Sequence, residues 1–206
     1  MSSGVRWRHP HYPMIAQALK YICQEVNLIN DNPATPSLEE FVVLGNISRL
    51  DTSTGPANGD IQSKVVLTLV NLEEEKTLKN GPYYVQEGET LVKKNPSIYL
   101  NLYLLFSCAA EDYETALTKI SRIIGTFQAK HVFTPETAEV PFPGEIEKII
   151  LDLFSINFEQ SNHMWGILGG KYIPSVLYKA RLIAIQASKP EGVAVVREIK
   201  ATENAR

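Results

Sequence analysis

Between residues 14 and 30, Ile15, Ala18, Leu19, Ile22, Val26 and Ile29 fall on one stripe, and this spacing predicts an amphipathic helix. Asp31-Asn-Pro33 and Pro36 close it, because proline cannot continue a helix and restricts the residue before it. A second helical stripe, Tyr113, Ala116, Leu117, Ile120, Ile124 and Phe127, predicts a helix from about Asp112 to Lys130. The period changes to two elsewhere. Ile98, Leu100, Leu102, Leu104 and Phe106 share one face of a central strand, with Tyr99, Asn101, Tyr103 and Leu105 on the other. Val176, Tyr178, Ala180, Leu182 and Ala184 alternate against Lys179 and Arg181 in a strand from about Pro174 to Gln186.

Shorter signals fill the gaps. Phe41 to Leu44 and Val132-Phe133 read as short strands, Lys64 to Leu72 as a strand buried on both faces, and Ile146 to Phe154 as another strand. Residues 51–60 hold Gly55, Pro56, Asn58 and Gly59, which is turn chemistry. Residues 80–95 read as an ordered loop or extended arm. Asn157 with Gln160 three residues later is a capping-box pattern opening a short helix, and Gly169-Gly170 suits a left-handed stop. A turn at Lys189 to Gly192 precedes a final strand, Val193 to Ile199. No repeat is visible, and several strands follow one another without a helix long enough for a parallel crossover. The expected fold is α+β: a mixed, largely antiparallel sheet with helices packed on one face. The expected organisation is an N-terminal arm or upstream leader over 1–13, a single domain over 14–200, and a frayed tail over 201–206.

Composition then narrows the function. The chain has 206 residues, 44% hydrophobic and 21% charged, which is ordinary for a folded domain. Its net charge of -3 argues against a general nucleic-acid binder. Residues 98–110 are the most apolar stretch and are too short to span a bilayer. Cys23 and Cys108 sit in apolar surroundings and read as buried thiols.

Chemical motifs are sparse. Gly166, Gly169, Gly170 and Lys171 lie at the end of a helix rather than its start, where the dipole disfavours phosphate. His9 and His11 have no third ligand at a suitable offset, and His131 and His163 are isolated. No nucleophile elbow is present, and Glu73 to Glu75 and Glu111-Asp112 read as solvated surface. The expectation is a protein without catalytic residues, metal or cofactor. The aromatic residues admit two readings. Tyr99 and Tyr103 on the central strand, and Trp165, Tyr172 and Tyr178 near the last long strand, fit either a core with hydrogen-bonded polar ends or a subunit interface.

A series of segments carries a resemblance. Asn101-Leu-Tyr-Leu-Leu-Phe-Ser107 is followed by Tyr113-Glu-Thr-Ala-Leu117, Ile124-Gly-Thr-Phe-Gln128 and His131-Val-Phe-Thr134. Then come Glu159-Gln-Ser-Asn162, Met164-Trp165, Leu168-Gly-Gly-Lys-Tyr172 and Pro174-Ser-Val-Leu-Tyr178 with Arg181. In this order they resemble the tail-terminator, or cap, proteins of phage-tail-like extracellular contractile injection systems, such as the antifeeding prophage and the Photorhabdus virulence cassettes. The likeness runs from about Met14 to Ile185, and 165–178 is its most specific part. Residues 1–13 depart from the family's usual opening at Met14.

The resemblance implies a mixed α/β structural subunit that forms a homo-hexameric ring at the distal end of the particle. The ring would terminate the inner tube and/or outer sheath and anchor them to each other. The implied partners are further copies of the chain, the tube protein, the sheath protein and a second cap paralogue, with neither nucleic acid nor membrane insertion. The implied location is an assembled injection particle, extracellular or cell-anchored, whose subunit is made in the bacterial cytoplasm. An adaptor or baseplate-type binding module of the same particle is the alternative. The candidate interface residues are Tyr99, Tyr103, Asn162, Trp165, Lys171, Tyr172, Tyr178, Arg181 and Arg197. By the resemblance, subunits join by strand addition, so the edge at 193–199 or the arm at 80–95 is expected to meet a neighbour.

Overall fold

A computed structural model describes residues 14–31, 40–49, 61, 63–75, 84–87, 90–93, 99–144, 146–184 and 191–193. In chain order the elements are α1 (Met14–Asn30), β1 (Val42–Leu44), a 3-10 turn (Ile47–Arg49), β2 (Val65–Glu74), β3 (Tyr84–Glu87), β4 (Thr90–Lys93), β5 (Tyr99–Cys108), α2 (Tyr113–Ala129), β6 (Val132–Phe133), β7 (Ile146–Leu153), α3 (Phe158–Ile167), β8 (Ser175–Ala184) and β9 (Glu191–Val193).

The main sheet has the order β1-β2-β5-β8-β7-β6. Every neighbouring pair is antiparallel except β1 with β2. The alternation read from the sequence sets its faces. Leu102, Leu104 and Phe106 of β5, Val65 and Leu67 of β2, and Tyr178, Ala180 and Leu182 of β8 are buried in one core with the apolar sides of α1 and α2. Leu105, Val66 and Leu177, one residue out of phase, join a second core with Val43, Ile47 and Trp165 of α3. Thus the two long helices cover one face as expected, while α3 covers part of the opposite one. The difference has a simple cause: β5 is apolar on both sides over 104–106, so one helical layer is not enough to bury it.

The arm at 80–95 contains a hairpin, β3 and β4. Strand β9 adds to it in a separate three-stranded sheet, order β3-β4-β9, with Leu91 opposite Val193. The arm and the expected edge therefore pair with each other within one chain. The expected turn at Lys189 to Gly192 is strand from Glu191, and residues 194–199 of the expected last strand lie outside the described residues, as do the leader over 1–13 and the tail over 201–206.

Two polar devices hold the helices. Asn27 of α1 reads both backbone groups of Val42: its Nδ2 donates to the carbonyl at 2.9 Å and its Oδ1 accepts the N–H at 2.7 Å. The second is Glu25, whose side chain is wholly buried. It accepts from Lys130 Nζ at 2.8 Å, Tyr21 Oη at 3.0 Å, and the N–H groups of Glu139 and Val140 at 2.8 and 3.2 Å. Burial alone would push this carboxyl up. Lys130 and the other donors outweigh burial and hold it below the ordinary carboxylate value.

Removing one partner of such a buried cluster leaves the others unsatisfied. Glu25→Ala is expected to cost about 3 kcal/mol or more in urea unfolding at pH 7. A carboxylate whose folded value is depressed adds stability above its unfolded value, about 4.3 for glutamate, and loses it as pH falls through the folded one. The wild type should therefore lose stability below that pH, and Glu25→Gln should lose less over the same range.

Candidate functional site

Beyond the reach of α3, the second face of the sheet is polar. β5 places Tyr99, Asn101 and Tyr103 there, and the registers set Asn101 opposite Arg181 and Tyr103 opposite Lys179, with Asp152 of β7 beside Lys179. Side chains join across the strands in pairs. Tyr103 Oη donates to Glu73 at 2.8 Å, Asn101 Nδ2 to Glu75 at 3.1 Å, and Arg181 to Asp152 at 2.6 Å. Desolvation, and then its bond to Glu73, raise the Tyr103 phenol, so it stays a neutral donor. Its ring meets Phe154 edge-on at 5.0 Å. The face thus carries acid at the β2 side, base on β8 and acid again on β7.

At the other end of this face stands α3. Asn157 accepts the Gln160 N–H at 2.8 Å while Gln160 returns a bond to the Asn157 N–H at 3.0 Å, the reciprocal cap read from the sequence. The helix stops with Gly170 N–H on the Trp165 carbonyl at 2.7 Å, and Gly169 and Gly170 both have positive φ. The glycines are a helix stop. Ile167, at the end of the helix, and Phe158, at its start, are large apolar side chains left in solvent.

The structure separates the sequence candidates. Trp165 is 5% exposed and Tyr178 is 3% exposed, and they lie in different cores on opposite faces of the sheet. Tyr178 packs on Phe106 and Phe127 at 5.9 and 4.8 Å between ring centres. Both side chains already have intrasubunit surroundings, so their aromatic character is explained by packing. Tyr172 is 68% exposed and touches Trp165 edge-on at 5.9 Å. Asn162 and Lys171 are exposed on and after α3, Tyr99 and Tyr103 are half-buried, and Arg181 is exposed. Arg197 lies outside the described residues. Among the eight described candidates, Tyr99, Tyr103 and Arg181 are brought to one face of the sheet. Sequence reasoning missed Glu73, Glu75 and Asp152 as partners on it, because cross-strand pairing depends on register.

Among the described residues, no group of three or more histidine, cysteine, aspartate or glutamate side chains is placed to hold a metal ion, and no helix is long and apolar enough to cross a membrane. Burial, then the charge of Glu40, pushes the Cys23 thiol up to about 12, and burial also raises Cys108, so both remain protonated rather than nucleophilic.

A six-stranded mixed sheet with helices on both faces, and polar side chains bridged across strands where no helix lies, defines a class of α+β scaffold. The chain belongs to the Pvc16 N-terminal domain family, matched over residues 25–198. No curated protein matches it by sequence. Its fold is similar to that of a PVC sheath/tube terminator of an extracellular contractile injection system, solved in the extended state, with a TM-score of 0.55 and 11% identity over 93% of this chain. The chain spans 65% of that protein's length. The tube-terminating cap of the anti-feeding prophage gives a TM-score of 0.49 at 14% identity, over 87% of this chain and 58% of the cap.

Trp165→Ala is expected to cost about 3–5 kcal/mol in unfolding free energy, as for a large core side chain. Tyr172→Ala, at a largely exposed position, should change it by about 0.5 kcal/mol or less. Urea titrations of the two variants measure the contrast.

Proposed function

We propose that this chain is a structural cap subunit that forms a ring at the distal end of a contractile injection particle, terminating the inner tube and/or the outer sheath and anchoring them to each other. The observation that carries the reading is the Pvc16 family match over residues 25–198. The fold likeness to a sheath/tube terminator over 93% of the chain supports it. The role is non-enzymatic, and the partners are further copies of the chain, the tube protein, the sheath protein and a second cap paralogue. The particle is extracellular, with its subunits made in the bacterial cytoplasm.

The polar sheet face suits such a role. Its polar side chains are bridged across strands by Tyr103–Glu73, Asn101–Glu75 and Arg181–Asp152, and Arg181, Tyr103 and Tyr99 can be re-paired by a neighbour without exposing a core. Tyr172 offers an aromatic anchor beside α3.

Light scattering of the purified chain, alone and with the particle's tube and sheath proteins, is expected to give a species six times the 23.0 kDa subunit, imaged as a ring by negative stain. A monomer that stays monomeric with both proteins present would sink the reading. Because an exposed ion pair is worth about 0–1 kcal/mol, Arg181→Ala should leave the urea midpoint almost unchanged. The same substitution should lower the assembled fraction.

A further inference from the structure

The connection between β6 and β7 covers part of the core without being a helix or a strand. α1 packs chiefly on β1, and α2 on β5 and β8. On the same face of the sheet, Ala138, Val140 and Phe142 pack against the core that holds Tyr21, Phe133 and Ile149. Their alternation turns Glu139 and Pro141 outward, into solvent. The Thr137 N–H closes a turn on the Thr134 carbonyl, and the Ile146 N–H another on the Pro143 carbonyl. Between these turns, among the described residues, 138–142 have no backbone–backbone hydrogen bond.

What ties the segment down is one carboxylate. Glu25 Oε1 accepts the N–H groups of both Glu139 and Val140, at 2.8 and 3.2 Å. Its Oε2 holds Lys130 Nζ at 2.8 Å, and the same ammonium donates to the Thr137 carbonyl at 2.9 Å. These anchors pass through Glu25, directly or by way of its counter-ion. A hydrogen bond to a charged acceptor is roughly twice as strong as one between neutral groups, so the anchors depend on the charge. The titratable and charged groups that face Glu25 are Tyr21 of α1, Lys130 at the end of α2, and Glu139 of the segment itself, whose Oε1 is 3.9 Å from Lys130 Nζ. Burial, and then the bond to Glu25, hold the Tyr21 phenol above its ordinary value, so it remains a neutral donor.

We propose that residues 137–142 form an acid-releasable strap, which leaves α1 when Glu25 loses its charge while the six-stranded sheet stays folded. A carboxylate held low keeps its charge at neutral pH and gives it up as pH falls through the folded value, so the strap is shut at pH 7 and opens in acid. Opening bares Tyr21 and the strap's own Phe142, apolar surface that the neutral form hides. The inference rests on Glu25 and its donors and does not depend on the cap reading.

Hydrogen exchange of the full chain, read residue by residue by NMR at pH 7 and at about pH 3, tests it. At pH 7 the Glu139 and Val140 amides are expected to exchange at least about tenfold slower than free amides, and in acid close to the free rate. The β5 and β8 amides should stay slow in both samples. Glu25→Gln should free the two strap amides at both pH values, and Glu139→Gln should keep the wild-type response. Strap amides that are free at pH 7, that stay slow in acid, or that are released only together with β5 and β8 would overturn the proposal. So would a folded Glu25→Gln chain with the wild-type response, or a response lost in Glu139→Gln, which would assign the titration to the exposed carboxylate. The two wild-type samples decide the matter if Glu25→Gln does not fold.

Discussion

The Glu25 carboxylate is out of contact with solvent, yet it is charged, and the surrounding structure is arranged to keep it so. It sits on the apolar side of α1, one turn after Tyr21, where an unpartnered charge would cost more than a helix of this length can supply. Lys130, at the end of α2, and the N–H groups of Glu139 and Val140 converge on it. Those donors come from segments on either side of β6, so one side chain fixes α1, the exit of α2 and the loop that leads into β7. Tyr21 continues the tie, its ring edge-on to Phe142 at 4.8 Å and to Phe133 at 6.1 Å. A second link joins the helices at their other contact, where Asn30 donates to Thr126 at 3.0 Å and Arg122 to the Asn30 carbonyl at 3.0 Å. An apolar substitute at position 25 would fill space without choosing among these partners. The carboxylate, satisfied in one geometry alone, sets how α1 lies against α2.

With the helical layer fixed, the sheet's two ends differ in how they stop. At one end β6 has two residues, too short to template another strand. At the other end, among the described residues, β1 is blunted at Val42 by Asn27 and pairs with β2 only from Val65 to Leu67. The asymmetry is not forced by the core, since β2 need not extend to Glu74 to cover α1.

Much of this fold was legible from periodicity. α1, α2, β5 and β8 lie where their apolar residues predict, because long stripes of period 3.6 or two have one way to be buried. The reciprocal cap of Asn157 and Gln160 was legible too, being a local bond between residues three apart. What was not legible depends on register. That the arm at 80–95 and the segment at 191–193 pair with each other is a contact between distant parts of the chain with no pattern that names the partner. The interface candidates divided for the same reason. Trp165 and Tyr178 both look like anchors in sequence, but the face each takes is set by neighbours the sequence does not order. Glu25 left one signal: a charge on an apolar stripe, one turn after a tyrosine.

The polar sheet face and the outer side of β2 differ in what they would ask of a partner. Paired charges on a broad face give modest affinity, because every new ion pair replaces an old one, but they enforce orientation, since a misplaced charge meets its like. A strand edge does the reverse: its backbone bonds accept many sequences, and affinity comes from pairing length. β5, buried at its centre from both sides, holds face and edge in fixed relation.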